Sequence, residues 1–312
     1  MRYLMILTAA FTGTLGPAIP APARHAAEAE QVEIKFNPPL DTPQRFRLTR
    51  WKTRGGASDT PVSWIEELRF TRSDTGFVLH WRMLWDSLPA AMRAPGVAAL
   101  TRPFAQDPIA FDLDSDGNVL RVRDWAALQP KMIGIAQDTG RLLGASEKDK
   151  MATDAAVAQI VARYRALDAE SAPAIILKNI DPALGSGGIA FRVGETRASS
   201  NDVAIPLFDT TIKRNGTVTM RAADAGTATL DMVSEIDPDS LRGLMANIAG
   251  LAPERRAQLG REIAAIQQLS IVDTNVMTLD RTTGLPTRLE NTRVAKVQGE
   301  GRTETFLIEW LR

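Results

Sequence analysis

The sequence predicts an α+β protein: a large, mainly antiparallel, curved sheet in two similar halves, with amphipathic helices packed on one side. Three observations carry that expectation. Segments alternating apolar and polar residues recur along the chain, as half-buried strands do. Two zones between them repeat apolar residues at three- and four-residue steps, the stripe of an amphipathic helix. Asp-x-Gly turns fall at corresponding places in the two parts of the sequence. The length of 312 residues fits about two domains, and 44% apolar with 24% charged residues is ordinary globular composition. The expected division is a signal peptide at 1–29, an N-terminal β module with helices at 30–180, and a C-terminal β module with an inserted helix pair at 181–312.

The first segment reads as an export address. Arg2 supplies the positive start, Tyr3 to Leu15 the apolar core, and Ala21-Pro22-Ala23 and Ala27-Glu28-Ala29 two small-x-small cleavage sites. Either Ala23 or Ala29 precedes the cut. The apolar core is shorter than a membrane span, and no later run is long enough, so no transmembrane segment is expected in the mature chain. The expected location is periplasmic or secreted.

The β pattern begins at 46–53 and continues through Val62, Trp64, Glu66, Leu68 and Phe70, which share one strand face. After the turn Ser73-Asp74-Thr75-Gly76, Phe77, Leu79, Trp81, Met83 and Trp85 share one face of the next strand. Residues 86–107 form a long connection. A second hairpin turns at Asp114-Ser115-Asp116-Gly117. Helices follow: a weaker one from Trp125 to Leu143, and one carrying Val157, Ile160, Val161, Tyr164 and Leu167. Residues 181–202 read as a glycine-containing loop with a short strand at Ile189–Val193. Asn215-Gly216 reads as a two-residue hairpin turn between 211–214 and 217–221. A strand at 227–233 leads to Asp237-Pro238, an N-cap followed by proline at the first helical position. Its apolar stripe is Leu241, Leu244, Met245, Ile248 and Leu251; Pro253 opens a second helix with Leu259, Ile263 and Ile266. Strands near 271–280, 285–297 and 303–311 close the chain. Phe70 to Gly76 parallels Met220 to Gly226, and Leu113-Asp114 before Gly117 parallels Leu279-Asp280 before Gly284. One β module used twice would give this pattern, as would independent choice of common turn residues.

Composition removes several chemistries. Lys+Arg and Asp+Glu are 37 each, so there is no cationic surplus for nucleic acid. Cysteine is absent, which excludes disulfides, thiolate metal sites and thiol catalysis. His80 is the only histidine after the signal segment; it faces away from Trp81 and has no Gly-x-Ser-x-Gly nucleophile to serve. Asp112, Asp114, Asp116 and Gly117 match the opening of a calcium loop, but its twelfth position, normally a bidentate Glu, is Arg123. Gly185-Ser186-Gly187-Gly188 lacks the Lys-Ser/Thr of a phosphate loop. Glu66 and Glu67 point to opposite faces of a strand and cannot act together, whereas Asp231 and Glu235 could share a face. No cofactor or metal is expected.

Tryptophan carries the most information: five of the six lie at or before position 125. Trp64, Phe77, Trp81, Met83 and Trp85 form an apolar surface across one hairpin, either as sheet core or as the wall of an apolar cavity. They are the candidate ligand-binding residues.

Long antiparallel strands with a few amphipathic helices in an exported, cysteine-free chain resemble the periplasmic lipoprotein-carrier superfamily. The hairpins at Asp114–Gly117 and Asp74–Gly76 and the closing segment Phe306-Leu-Ile-Glu-Trp310 are in that style, across about 40–312. The resemblance implies a curved sheet over helices, enclosing an apolar ligand cavity; it supplies no binding residue. The chain is longer than a single carrier domain. It is also similar to groups of uncharacterised exported bacterial proteins, which imply no activity.

The expected function is therefore non-catalytic: binding of an apolar or lipid-like ligand in the cell envelope. The alternative is a structural module docking to an envelope protein. A hydrolase using paired carboxylates ranks third.

Overall fold

The computed structural model describes residues 31–54, 56–94, 97–98, 101–143, 147–205, 210–249, 270–297 and 300–311. The expected signal peptide at 1–29 and the helix expected after Pro253 lie outside the described residues. Strands account for 50% and helices for 25%, so the molecule is more β-rich than the α+β expectation. The excess lies in strand length: the six strands between Thr196 and Leu311 run for 10 to 14 residues each. Among the described residues no helix is long and apolar enough to cross a membrane.

The chain divides into two compact units. One, here the mixed unit, comprises 38–48, 62–177 and 310–312; the other, the meander unit, comprises the described part of 1–37 with 49–61 and 178–309. Strand β2 (Gln44–Arg54) gives its first five residues to the mixed unit and the rest to the meander unit.

In the mixed unit the strand order is β7-β6-β5-β4-β2, where β4 is Val62–Arg72, β5 Phe77–Met83, β6 Ile109–Leu113 and β7 Val119–Val122. The β4–β5, β5–β6 and β6–β7 ladders are antiparallel. Alternation puts one row of large side chains on a single face: Phe70 opposite Leu79, Leu79 opposite Phe111, and Phe111 opposite Val122, all buried. The connection at 86–107 includes the short helices α1 (Ala90–Arg93) and α2 (Pro103–Gln106), and Phe104 of α2 packs a tilted ring against Trp81 at 6.0 Å. Helix α3 (Trp125–Leu143) packs on α4 (Glu147–Ala166) where Gly140 meets Val157: a Cβ on Gly140 would stand 2.4 Å from a Val157 methyl. Trp125 donates its indole N–H to the Leu167 carbonyl at 3.0 Å. The stripe on α4 is narrower than its spacing implies, because Val161 is buried while Ile160 is 45% exposed. A short helix α5 (Pro173–Ile176) completes the unit.

In the meander unit, β1 (Gln31–Ile34) pairs with β8 (Ile189–Arg192), setting Val32 opposite Phe191. The main order is β2-β14-β13-β12-β11-β10-β9. Here β9 is Thr196–Ile205, β10 Thr210–Ala223, β11 Thr227–Ile236, β12 Ser270–Asp280, β13 Pro286–Val297 and β14 Glu300–Leu311; the two-residue β3 (Ala57–Ser58) pairs with β2. Two local expectations are corrected. Residues 196–205 form a full strand, although the loop expected at 181–202 takes in most of it. Asn215-Gly216 makes no turn: β10 runs straight through it, paired to β9 on one side and β11 on the other. Glycine is required there for a different reason. A Cβ at 216 would lie 2.2 Å from the Val233 carbonyl oxygen, so the residue permits close strand approach. The Asn215 amide donates to Asp237 at 2.7 Å.

Asp237 then caps α6 (Pro238–Ala249), its carboxylate accepting the Ser240 N–H at 2.8 Å. Two other aspartates hold turns. Asp114 accepts the N–H groups of Asp116 and Asn118, ahead of Gly117 at φ 85°; Asp280 accepts those of Thr282 and Thr283, ahead of Gly284 at φ 71°. The calcium-like Asp112-x-Asp114-x-Asp116 spacing thus serves a hairpin, and the Asp112 oxygens are held by Arg121 and Arg123 at 2.8 and 2.6 Å.

Candidate functional site

The mixed unit brings Trp64, Trp81 and Met83 together around a carboxylate. Glu66 lies on the buried face of β4, two residues from Trp64 and directly opposite Met83. Trp64 donates its indole N–H to one Glu66 oxygen at 2.8 Å, and Trp81 donates to the other at 2.6 Å. Glu66 is only 1% exposed. Burial raises its carboxyl and the two indole hydrogen bonds pull it partly back, leaving it pushed up to about 7. Among the described residues its hydrogen-bond partners are these two neutral indoles.

The other two expected residues stand apart. Phe77 is buried at the far end of β5, under the Arg72 guanidinium at 4.3 Å from the ring centroid. Trp85 is half-buried just beyond β5, with Arg102 at 5.1 Å. Glu67 faces the opposite side from Glu66, as the alternation requires. Burial alone would raise its carboxyl, but hydrogen bonds from Arg82 at 2.6 Å and Arg45 at 3.1 Å hold it below the usual range. Burial lowers the His80 imidazole, with Arg69 and Arg123 adding to the effect. Asp231 pairs with Arg221, and Glu235, four residues along the strand and roughly 13 Å away, is exposed. Gly185 and Gly188 have φ of 67° and 70°, in a loop leading to β8.

The meander unit carries a second arrangement, which the sequence reading missed. Register stacks three rows across one face. The first is Met220, Leu230, Met277, Leu289 and Ile308, all buried. The second is Val218, Met232, Asn275, Asn291 and Phe306; all but Val218 are half-buried, and Asn291 donates to Asn275 at 2.7 Å. The third is Gly216, Ser234, Asp273, Arg293 and Glu304. The face therefore changes from apolar through amide to charged over four residues of each strand, roughly 13 Å.

Asp273 is the fixed point of the charged row. Arg293 grips it with two hydrogen bonds at 2.7 and 2.9 Å, and Arg214 adds a third contact at 2.6 Å. Burial would raise the Asp273 carboxyl, but the Arg293 bonds and charge, with Arg214, hold it below the ordinary range. At the β14 side the row continues with Glu304, which pairs with Arg50 of β2 and lies 4.0 Å from Arg302. The charges of Arg50, Glu304 and Arg302 also act on Lys52.

The sequence did contain a signal for this face. Residues 289, 291 and 293 read Leu, Asn, Arg, and 277, 275 and 273 read Met, Asn, Asp. Each strand alone is unremarkable alternation; the gradient emerges only once register aligns them.

Among the described residues no group of three or more His, Asp or Glu is placed to hold a metal ion. No family model matches the chain, and comparison with curated proteins finds no match.

Proposed function

We propose that this protein is a non-catalytic binding protein of the cell envelope, and that it holds an amphiphilic ligand against the graded face of the meander unit. The single observation that carries the reading is the order of rows on that face. A row of buried Met and Leu gives way to a half-buried row in which Met232 and Phe306 flank an amide pair, and that row gives way to ions. An amphiphile presents the same order of chemistry along its length, so apolar burial and polar contact are satisfied in one orientation.

In this reading the chain is exported, the sheet is curved with helices on one side, and one β module is used twice. The resemblance to periplasmic lipoprotein carriers belongs with it. Trp64, Phe77, Trp81, Met83 and Trp85 remain a candidate apolar wall, but Trp64 and Trp81 would first have to leave Glu66. Phe306 and Met232 are half-buried whereas Trp64 and Trp81 are buried, which is why the meander face leads.

Titration with N-phenylnaphthylamine, whose fluorescence rises in apolar surroundings, tests the reading. Saturable uptake, weakened about tenfold or more by Phe306→Asp with the melting temperature little changed, is the expected result. No saturable uptake, or uptake indifferent to Phe306 and Met232, contradicts it. A docking module would instead give no uptake and stable capture of one envelope protein.

A further inference from the structure

The charged end of the graded face is uneven. Near Glu304 the side chains of Arg50, Arg302 and Lys52 come from two adjacent strands. Asp59 also acts on Lys52, as the weakest of its influences. Three cations thus face two carboxylates, of which Asp59 is exposed on the loop side. The Arg50 Nε is buried without a hydrogen-bond partner among the described residues. Yet the site is open: the Arg50 and Arg302 side chains are 43% and 33% exposed. Burial lowers the Lys52 ammonium, and the Arg50 charge lowers it further, so cations are crowded here beyond what Glu304 offsets. Half-buried Phe306 is two residues from Glu304 on the same face of β14.

We propose that Arg50, Lys52 and Arg302 form a headgroup site for an anionic amphiphile, a chain ending in a carboxylate, whose apolar part lies over Phe306 and Met232. The inference rests on the proposed function and goes beyond it by fixing the charge and polarity of the ligand. A carboxylate entering this site accepts from the partly exposed Arg302 guanidinium and relieves repulsion among three cations. It does so beside apolar surface, where the attraction is less screened than in bulk water. Arg293 and Arg214 are already committed to Asp273 and stiffen the floor of the row.

Calorimetric titration of the intact mature protein with dodecanoate, dodecanol and acetate tests this. Dodecanoate should bind about tenfold or more tightly than dodecanol, with a preference that shrinks as salt rises. The double variant Lys52→Gln/Arg302→Gln should abolish the preference and leave dodecanol binding unchanged. Lys52→Met, which keeps the side-chain length, should show part of the same loss. Equal affinity for dodecanoate and dodecanol, or a preference that survives both variants, overturns the headgroup site while leaving amphiphile binding intact. Acetate binding as tightly as dodecanoate overturns it in favour of a free-anion site. Failure of both long-chain ligands to bind overturns the proposed function, and the headgroup site with it.

Discussion

Two regions solve the same problem differently. In the mixed unit, hairpin β4–β5 is followed by short helices and then by β6–β7, whose turn is held by Asp114. In the meander unit, hairpin β10–β11 is followed by α6 and later by β12–β13, whose turn is held by Asp280. Each has a nearly inaccessible carboxylate on one sheet face, Glu66 in the mixed unit and Asp273 in the meander unit. Glu66 is satisfied by two neutral indole donors, Asp273 by two guanidiniums. The first carboxyl is driven up to about 7 and the second is held below its ordinary value. Burial acts in the same direction on both; the charge of the partner decides the outcome.

The largest expected effect breaks the ionic side of this comparison. Asp273→Asn leaves the buried Arg214 and the half-buried Arg293 without their carboxylate and should destabilise the protein by about 3–5 kcal/mol in urea unfolding. Glu66→Gln should cost less, about 1–3 kcal/mol, because an amide can still accept from one indole. If Glu66→Gln proves the more damaging, the contrast between the two centres is wrong.

Next comes pH. The folded Glu66 pKa exceeds its ordinary 4.5, so between pH 4.5 and about 7 the folded state binds more protons than the unfolded one. Its contribution is fully present below pH 4.5 and is lost as pH rises to about 7, a change of about 3 kcal/mol at most. Asp273 runs the other way. Its contribution is present above its ordinary 3.8 and is lost as pH falls through its lower folded value. Unfolding free energies measured from pH 5 to 8 should decline in the native sequence and flatten in Glu66→Gln. A profile unchanged by that substitution would remove Glu66 as the cause.

A smaller effect separates the glycines of one strand pair. Gly216→Ala places a methyl against the Val233 carbonyl and should cost about 1–3 kcal/mol. At Gly226, in the adjoining turn, the nearest atom to a new Cβ is an Asp224 oxygen at 3.8 Å, so Gly226→Ala should be within about 1 kcal/mol of neutral. The smallest effect is Asp114→Ala, which frees two turn N–H groups and should cost about 1 kcal/mol by thermal unfolding.

Much of the fold was legible because alternation and capping are local. The faces of β4 and β5, the Asp237 cap and the last three strands follow from period and turn chemistry. The Asn215-Gly216 turn misread the same kind of evidence. The dipeptide suits a tight turn, and only the neighbouring Val233 carbonyl shows that glycine answers to strand spacing instead. The candidate site was legible in halves. The Trp64–Trp81–Met83 grouping came from one hairpin, but the neutral partners of Glu66 depended on which side of the sheet was dry. The graded face was out of reach, because Asn275, Asn291 and Phe306 become neighbours only through register across three strands.

The central claim is that the meander face holds an amphiphile. Native mass spectrometry of the protein, purified gently from cells that make it, addresses this most directly. The account predicts a bound amphiphile mass that Phe306→Asp removes. Bare protein mass throughout, or an adduct that the substitution leaves in place, would contradict it.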